Sequence, residues 1–170
     1  MDKLIIIEDS PFFLKIVKNR FRKDSGVEVI TAASYEEAKS VIDREGDSIV
    51  IALVDLRLPD AMDGEAVELT LRQGIPTVIF TSNFDEDTRE HFLAKGVLDF
   101  ILKDNPTSLE YLFRLVQRVI KNKKTEVLVV DDSSVALKLC SELLRRYQLI
   151  VHEAKSGDDA FRKLSGNPAI

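Results

Sequence analysis

The stretch Ile49-Val50-Ile51-Ala52-Leu53-Val54-Asp55 decides the fold, because an unbroken apolar run ends at a single carboxylate. A short apolar run bounded by polar residues is typical of a strand that is buried on both faces, as in a parallel sheet. Runs of the same kind occur at residues 4–7, 27–30, 77–80 and 97–102. The pattern therefore predicts five buried strands in one parallel sheet.

The segments between these runs have the spacing of helices. Phe13, Val17 and Phe21 fall on one helical face, and Ser34 with Glu37 forms a capping box ahead of another apolar face. A last helix is expected to end near residue 121. Strands that alternate with helices predict an α/β domain with βαβ connections.

The same pattern begins again after a basic stretch. The strand-like run 126–130 repeats the first strand, and Asp131-Asp132-Ser133 repeats Glu8-Asp9-Ser10. Such self-similarity predicts a second copy of the domain, which stops at Ile170 before its third strand. The predicted divisions are a complete domain over residues 1–121, a basic linker over 122–125, and an incomplete second copy over 126–170 that holds the first two strand–helix units.

Polar side chains follow the predicted strands: Glu8 with Asp9, then Asp55, Thr81 and Lys103. Ligands of an open parallel sheet bind outside the carboxyl ends of the strands, so we expect these side chains to gather there. Three neighbouring carboxylates repel one another, and a hard divalent cation with oxygen ligands, Mg²⁺, relieves the repulsion. Asp55 could then attack a phosphoryl group while Thr81 and Lys103 hold its oxygens.

Four motifs, in this order, resemble the receiver domain of bacterial two-component response regulators. They are Ile5-Ile6-Ile7-Glu8-Asp9-Ser10, Val54-Asp55-Leu56-Arg57-Leu58-Pro59 followed by Met62-Asp63-Gly64, Phe80-Thr81-Ser82, and Phe100-Ile101-Leu102-Lys103. The resemblance covers residues 3–121 completely and residues 125–170 as a second, incomplete receiver. It implies a doubly wound, flavodoxin-like sheet of five parallel strands in the order 2-1-3-4-5.

The resemblance also implies a reaction at Asp55. A histidine kinase or a histidine phosphotransfer protein would phosphorylate this carboxylate with Mg²⁺ as cofactor. The implied metal ligands are Glu8, Asp9, Asp55 and the backbone carbonyl of Arg57. The downstream output stays open.

The family further implies a switch made of Thr81 and Phe100. The hydroxyl would be drawn to the phosphoryl group and the ring would turn inward behind it, although a plain core role for Phe100 needs the same apolar surroundings. Arg57, Ser82 and Asn83 lie beside the nucleophile and the switch threonine in the sequence. We expect these three residues to tune hydrolysis of the phosphoryl group.

Two loops depart from the family pattern. After Pro59 the family usually has one residue before Met-Asp-Gly, whereas Asp60 and Ala61 intervene here. After Lys103 the family usually has a proline, often with a cis bond that aims the lysine, whereas Asp104 follows here. Without that proline, the sequence does not predict the direction of the Lys103 side chain.

Composition limits the partners of the chain. A net charge of −5 and a pI near 5.2 argue against direct binding of nucleic acid. The absence of an apolar run near 18 residues argues against a membrane segment, and the start Met1-Asp2-Lys3 does not resemble a signal peptide, so we expect a cytoplasmic protein. Cys140 is the one cysteine, and its helical position predicts a small core residue.

Two alternative functions are a phosphatase and an input segment of a larger enzyme. A phosphatase that passes through a phosphoaspartate needs a second acid two residues after the nucleophile, and Arg57 stands there. The two copies also resemble receivers that precede a diguanylate cyclase (GGDEF) domain, which would make the chain an input segment in cyclic-di-GMP signalling. We expect a signalling module rather than a stand-alone enzyme. A homodimer through the fourth helix, fifth strand and fifth helix, or through the partial second domain, stays open.

Overall fold

The computed structural model describes residues 1–21, 26–83, 85–167 and 170, which divide into two compact units, Met1–Gln117 and Arg118–Ile170. The strands are β1 (Lys3–Ile7), β2 (Glu28–Ala32), β3 (Ile49–Val54), β4 (Thr77–Thr81), β5 (Asp99–Leu102), β6 (Glu126–Val130) and β7 (Ile150–Ala154). The helices are α1 (Pro11–Phe21), α2 (Tyr35–Glu45), α3 (Glu65–Arg72), α4 (Glu86–Lys95), α5 (Pro106–Asn122), α6 (Ser134–Arg146) and α7 (Gly157–Gly166).

The first unit contains a five-stranded parallel sheet in the order β2-β1-β3-β4-β5. The predicted flavodoxin-like fold and its strand order are therefore confirmed. Every residue of β3 is buried, as expected for the central strand of a sheet that is covered on both faces. β5 begins two residues later than the apolar run that predicted it.

The register of the sheet places the polar strand ends side by side. Ile7 at the end of β1 pairs with Ala32 on one side and with Val54 on the other. The backbone N–H of Asp55 donates to the carbonyl of Ile7 at 2.9 Å, and the N–H of Glu8 donates to Ala32 at 2.9 Å. The residues that follow β1 and β3 therefore leave the sheet at the same edge.

Helix starts in the first unit follow local polar signals. Ser34 accepts a hydrogen bond from the N–H of Glu37 at 3.2 Å, and the Glu37 carboxylate accepts one from Ala33 at 2.8 Å. Gly64, with φ of +83°, precedes α3, and an added Cβ would lie 2.4 Å from Cζ of Phe92. Only glycine fits there, since both the backbone and the ring of α4 exclude a side chain.

The second unit repeats the first two strand–helix steps. β6 and β7 pair in parallel, and Val130 faces Ala154 as Ile7 faces Ala32 in the first unit. Among the described residues this sheet has two strands. Large apolar side chains of the unit lie in solvent: Val135, Leu139, Leu143 and Phe161.

The predicted core position of Cys140 is wrong, because this residue is exposed. Val17 holds the equivalent place on α1 and is 2% exposed. The unit that contains α1 has a five-stranded sheet, whereas the described part of the unit that contains α6 has a two-stranded one, so fewer strands are there to cover the apolar face of α6. In the part of the chain that the structure describes, no helix is long and apolar enough to cross a membrane.

Candidate functional site

The carboxylates of Glu8, Asp9 and Asp55 form one cluster at the carboxyl edge of the first sheet. One carboxylate oxygen from each residue lies within 4.8 Å of the others. Glu8 is buried, Asp55 is partly buried and Asp9 is exposed. One cation could therefore contact all three side chains from the open side of the site.

Lys103, which follows β5, reaches across the sheet edge to this cluster. Its Nζ donates to Oδ2 of Asp55 at 2.5 Å and also forms an ion pair with Glu8. The lysine side chain is only 1% exposed. The backbone N–H of Lys103 donates to the carbonyl of Thr81 at 2.8 Å. This bond to the end of β4 helps to position Lys103, which follows β5.

Burial raises the pKa of the Glu8 carboxyl above its ordinary value, and the charge of Asp55 adds to this effect. The ion pair with Lys103 and the backbone N–H of Ser10, at 3.1 Å, act in the opposite direction without cancelling the rise in pKa. A buried carboxylate with a raised pKa binds a proton or another cation more readily than an exposed one does. The electrostatics of the site therefore favour an added positive charge.

The predicted switch residues differ in their surroundings. Thr81 is fully buried at the end of β4, and its hydroxyl oxygen accepts a hydrogen bond from the N–H of Asn83 at 3.3 Å. Phe100 is 7% exposed and belongs to the same core cluster as Leu56 and Phe92. The structure thus places Thr81 at the site edge and Phe100 among core side chains.

The three predicted tuning residues are exposed. Arg57 follows β3 in the chain, and Ser82 and Asn83 follow β4. The backbone N–H of Arg57 donates to Oδ1 of Asp55 at 3.4 Å. All three side chains are therefore accessible to water and to a partner.

The extra residue in the β3–α3 loop gives Asp60 a structural partner. Its carboxylate accepts hydrogen bonds from the backbone N–H groups of Tyr35 at 2.8 Å and Glu36 at 3.2 Å, at the start of α2. The bond from Tyr35 is the main cause of a lowered Asp60 pKa. Leu58 and Ala61 exchange backbone hydrogen bonds across the turn. The longer loop is thereby tied to α2.

Side-chain hydrogen bonds stabilise the connection after Lys103, at the position where the family usually has a proline. Oδ1 of Asp104 accepts from the Ser108 hydroxyl and from the Asn105 amide, both at 2.7 Å. Oδ1 of Asn105 in turn caps α5 by accepting from the N–H of Ser108 at 3.0 Å. These bonds hold the connection directly after Lys103.

Sequence reasoning missed two neighbours of Lys103, the rings of Phe13 and Phe80. Nζ lies 4.8 Å from the centroid of the first ring and 5.6 Å from that of the second. The only signal was positional, since Phe13 follows the Glu8-Asp9 pair in the sequence and Phe80 precedes Thr81. Helical and strand periodicity had explained both residues as core.

The acidic pair of the second unit has the local geometry of the first. The N–H of Ser133 donates to Asp131 at 2.8 Å, as the N–H of Ser10 does to Glu8. Within the described ranges, however, the only group of three or more potential metal ligands is Glu8, Asp9 and Asp55. Asp131 and Asp132 have no third carboxylate to complete a site there.

Comparison with known families and structures extends these observations. The model of the response regulator receiver domain matches residues 4–114, which is more than half of the chain. A curated protein of Porphyridium aerugineum, named as a probable transcriptional regulator ycf27, is 33% identical over 120 residues, covering 69% of this chain and 48% of the relative.

Two solved structures show the same fold. A two-component system response regulator/GGDEF domain protein is 40% identical with a TM-score of 0.91, covering all of this chain and 68% of that one. The BeF3-activated N-terminal receiver domain of Klebsiella pneumoniae RstA is 28% identical with a TM-score of 0.57, covering 69% of this chain and 99% of that domain. The chain thus spans about half of the curated relative and about two thirds of the solved regulator.

Proposed function

The chain belongs to the response regulator receiver domain family of two-component signalling, and from that premise we propose that Asp55 is its phosphoacceptor. The observation that carries the proposal is the bridge that Lys103 makes between Asp55 and Glu8 at a buried strand edge. A lysine in this position can donate a hydrogen bond to a phosphoryl group on Asp55 without a large movement. The phosphodonor would be a histidine of a kinase or of a histidine phosphotransfer protein.

In the proposed reaction, a carboxylate oxygen of Asp55 attacks the phosphorus atom in line with the phosphorus–nitrogen bond of the partner. That bond breaks as the new oxygen–phosphorus bond forms, and the imidazole leaves with the electron pair. Two N–H groups of Lys103 contact Asp55 and Glu8, and its third can donate to a phosphoryl oxygen. The Thr81 hydroxyl can donate to another.

The donor set fits Mg²⁺, because the clustered ligands are all hard carboxylate oxygens. Glu8, Asp9, Asp55 and the backbone carbonyl of Arg57 would hold it. When bound, the ion would offset the negative charge of the acceptor and of the incoming phosphoryl group. Burial is the main cause of the raised pKa of Glu8 and the charge of Asp55 is a further one, and both effects favour an added positive charge at the site.

Phosphorylation would act on the rest of the protein through Thr81 and Phe100. A shift from 1:99 to 99:1 between two conformations needs about 5.5 kcal/mol of differential interaction. The bonds of a dianionic phosphoryl group to Lys103 and Thr81 would supply part of it. The affected surface would be the α4, β5 and α5 face, with Arg57, Ser82 and Asn83 setting how readily water reaches the acyl phosphate.

The test uses acetyl phosphate with Mg²⁺ and mass spectrometry of the intact chain. The wild type should gain one phosphoryl group, Asp55→Asn should gain none, and Asp131→Asn should behave as the wild type. A phosphoryl group that persists in Asp55→Asn would disprove the assignment. Size determination with and without beryllium fluoride would separately show whether the activated form dimerises.

A second candidate places the chain in a larger regulator. The solved response regulator/GGDEF domain protein matches the whole chain at 40% identity, which favours an input segment of a diguanylate cyclase. In this version residues 1–121 are a complete receiver, 122–125 a linker and 126–170 the first two units of a second receiver. Cyclic-di-GMP formation by the full natural reading frame, with a loss or gain on Asp55→Asn, would test it.

A phosphatase that turns over through a phosphoaspartate is the less favoured alternative. Arg57 holds the place of the required acid and is exposed. Steady release of phosphate from a small phosphate ester at about 1 s⁻¹ or faster, the lower end of ordinary enzyme turnover, would reverse this preference.

A further inference from the structure

Two phenylalanine rings lie against the ammonium group of Lys103. Phe13 of α1 and Phe80 of β4 meet edge to face, with ring centroids 6.5 Å apart and ring planes at 87°. Nζ lies 4.8 Å from the first centroid and 5.6 Å from the second. Both distances fall within the reach of cation–π attraction, about 6 Å. We call these two rings the Lys103 collar.

The ion pairs of Lys103 change during the proposed reaction. Nζ contacts carboxylate oxygens of Glu8 and Asp55, and its side chain is 1% exposed, so water supplies little hydration. Once Asp55 carries a phosphoryl group, the carboxylate charge that pairs with Nζ is replaced by the charge of the phosphoryl oxygens of the acyl phosphate. The rings neither titrate nor react, and their attraction for the ammonium group is the same before and after transfer.

The backbone after Lys103 supplies no proline to aim the side chain. Asp104 follows instead and directs its carboxylate to Asn105, just before α5, and to Ser108 in the first turn of α5. These bonds hold the connection but do not touch Nζ. The direction of the lysine side chain therefore depends on what surrounds its ammonium group.

We propose that Phe13 and Phe80 are positioning residues whose ring faces hold Nζ of Lys103 beside Asp55 while that carboxylate becomes an acyl phosphate. The inference rests on the proposed function of Asp55. It gives these rings a role that a leucine of similar bulk cannot fill, because an aliphatic side chain has no negative ring face.

Phe13 is the better residue for a test, because it is only partly buried, whereas Phe80 is 6% exposed and contributes to the core. Its neighbour Phe12 offers a matched control. Phe12 is 67% exposed and lies 5.5 Å from Phe13, centroid to centroid, and its ring is not among those over Nζ. Loss of the Phe12 ring removes a nearby aromatic group without removing the collar.

The first measurement needs no phosphorylation. NMR should show the ε-methylene protons of Lys103, assigned by their loss in Lys103→Arg, shifted upfield by the ring currents of the collar. Phe13→Leu should lose part of this shift, while Phe13→Tyr and Phe12→Leu should keep it. An unchanged Lys103 signal in Phe13→Leu would overturn the proposal.

The second measurement is the rate of phosphorylation at saturating acetyl phosphate. Phe13→Leu should slow it roughly 3- to 10-fold, as expected for one cation–π contact at a buried site. Phe13→Tyr should restore the rate, and Phe12→Leu should match the wild type. In a Lys103→Met background, Phe13→Leu should cause no further slowing, because the ring acts through the lysine.

The outcomes separate the two proposals. Equal slowing by Phe13→Leu with and without Lys103 would show that the ring acts on the fold, and would overturn the positioning role. A wild type that takes no phosphoryl group would instead overturn the function proposed for Asp55. In that case the NMR comparison still tests whether the Lys103 collar holds Nζ. An upfield shift that is retained in Phe13→Leu would overturn that role.

Discussion

The first and second units share the same local pattern after their first strands, but they differ in the side chains that surround it. In both, a strand delivers an acidic pair, the next serine N–H donates to the first acid, and the end of the strand pairs with an alanine of the following strand. The first unit adds Asp55 and Lys103, which follow β3 and β5, so its acidic pair meets a third carboxylate and an ammonium group. A motif of neighbouring residues thus shapes a loop, while the cluster of charged side chains requires strands that are distant in sequence.

The helices after the two acidic pairs show the same contrast in packing. Val17 on α1 is 2% exposed, whereas its counterpart Cys140 on α6 is exposed. On α6, Leu139 and Leu143 are 70% and 55% exposed. The apolar spacing is present in both helices, but it leads to burial only where a wide sheet lies beneath.

The largest expected effect concerns the acidic pairs. Asp9→Asn should weaken Mg²⁺ binding by at least about tenfold, the lower end of what loss of even a supporting side chain costs a metal site. Asp132→Asn, at the equivalent place in the second unit, should leave binding unchanged. Calorimetric titration measures both. An equal loss of Mg²⁺ affinity in the two variants would contradict the expectation that only the acidic pair of the first unit binds the ion.

The second prediction compares the helix faces. Val17→Ala should lower the free energy of unfolding of the first unit by about 2 kcal/mol, because it leaves a cavity under a covered helix. Cys140→Ala removes a group that is already in solvent and should change stability by less than about 0.5 kcal/mol. Urea unfolding followed by circular dichroism tests the pair. A large effect of Cys140→Ala would indicate that something covers α6 in solution.

The third prediction follows from the raised pKa of Glu8, measured without metal. The folded state holds the Glu8 proton more tightly than the unfolded chain does, so stability should fall as the pH rises from the unfolded pKa through the raised folded one. Glu8→Gln stays neutral, and its advantage in thermal midpoint over the wild type should grow as the pH rises from the unfolded pKa of a glutamate, about 4.3, through the raised folded pKa. Asp131→Asn is the control at the same place in the repeat. Parallel pH profiles for Glu8→Gln and the wild type would contradict this reading.

The smallest expected effect concerns the β3–α3 loop of the first unit, which has no counterpart among the described residues of the second. Asp60→Asn weakens the hydrogen bonds that the carboxylate accepts at the start of α2, so amide hydrogen exchange at Tyr35 and Glu36 should accelerate. The lowered pKa of Asp60 means that the wild type should approach the variant as the pH falls through that value. Exchange at Gly157 and Asp158, at the start of α7, should not change. Acceleration at both helices would point to a global loss of stability.

Much of the fold was predictable because its strands are continuous apolar runs. Residues 49–54 and 77–80 read as buried strands in the sequence and are buried strands in the structure. The site was predictable to the extent that it follows from strand ends, since parallel strands end at one edge. Glu8, Asp55 and Lys103 each follow a predicted strand, and their side chains meet in the structure.

The sequence by itself determined the secondary structure, the repeat and the edge at which the polar side chains gather, because these depend on the spacing of neighbouring residues. Tertiary structure alone decided that Phe13 and Phe80 flank Lys103, that Asp60 caps α2, and that Cys140 is exposed. Each of these contacts joins residues from separate elements, or depends on whether another element is there to cover a face. Periodicity along the chain carries no information about such partners, and packing supplies it.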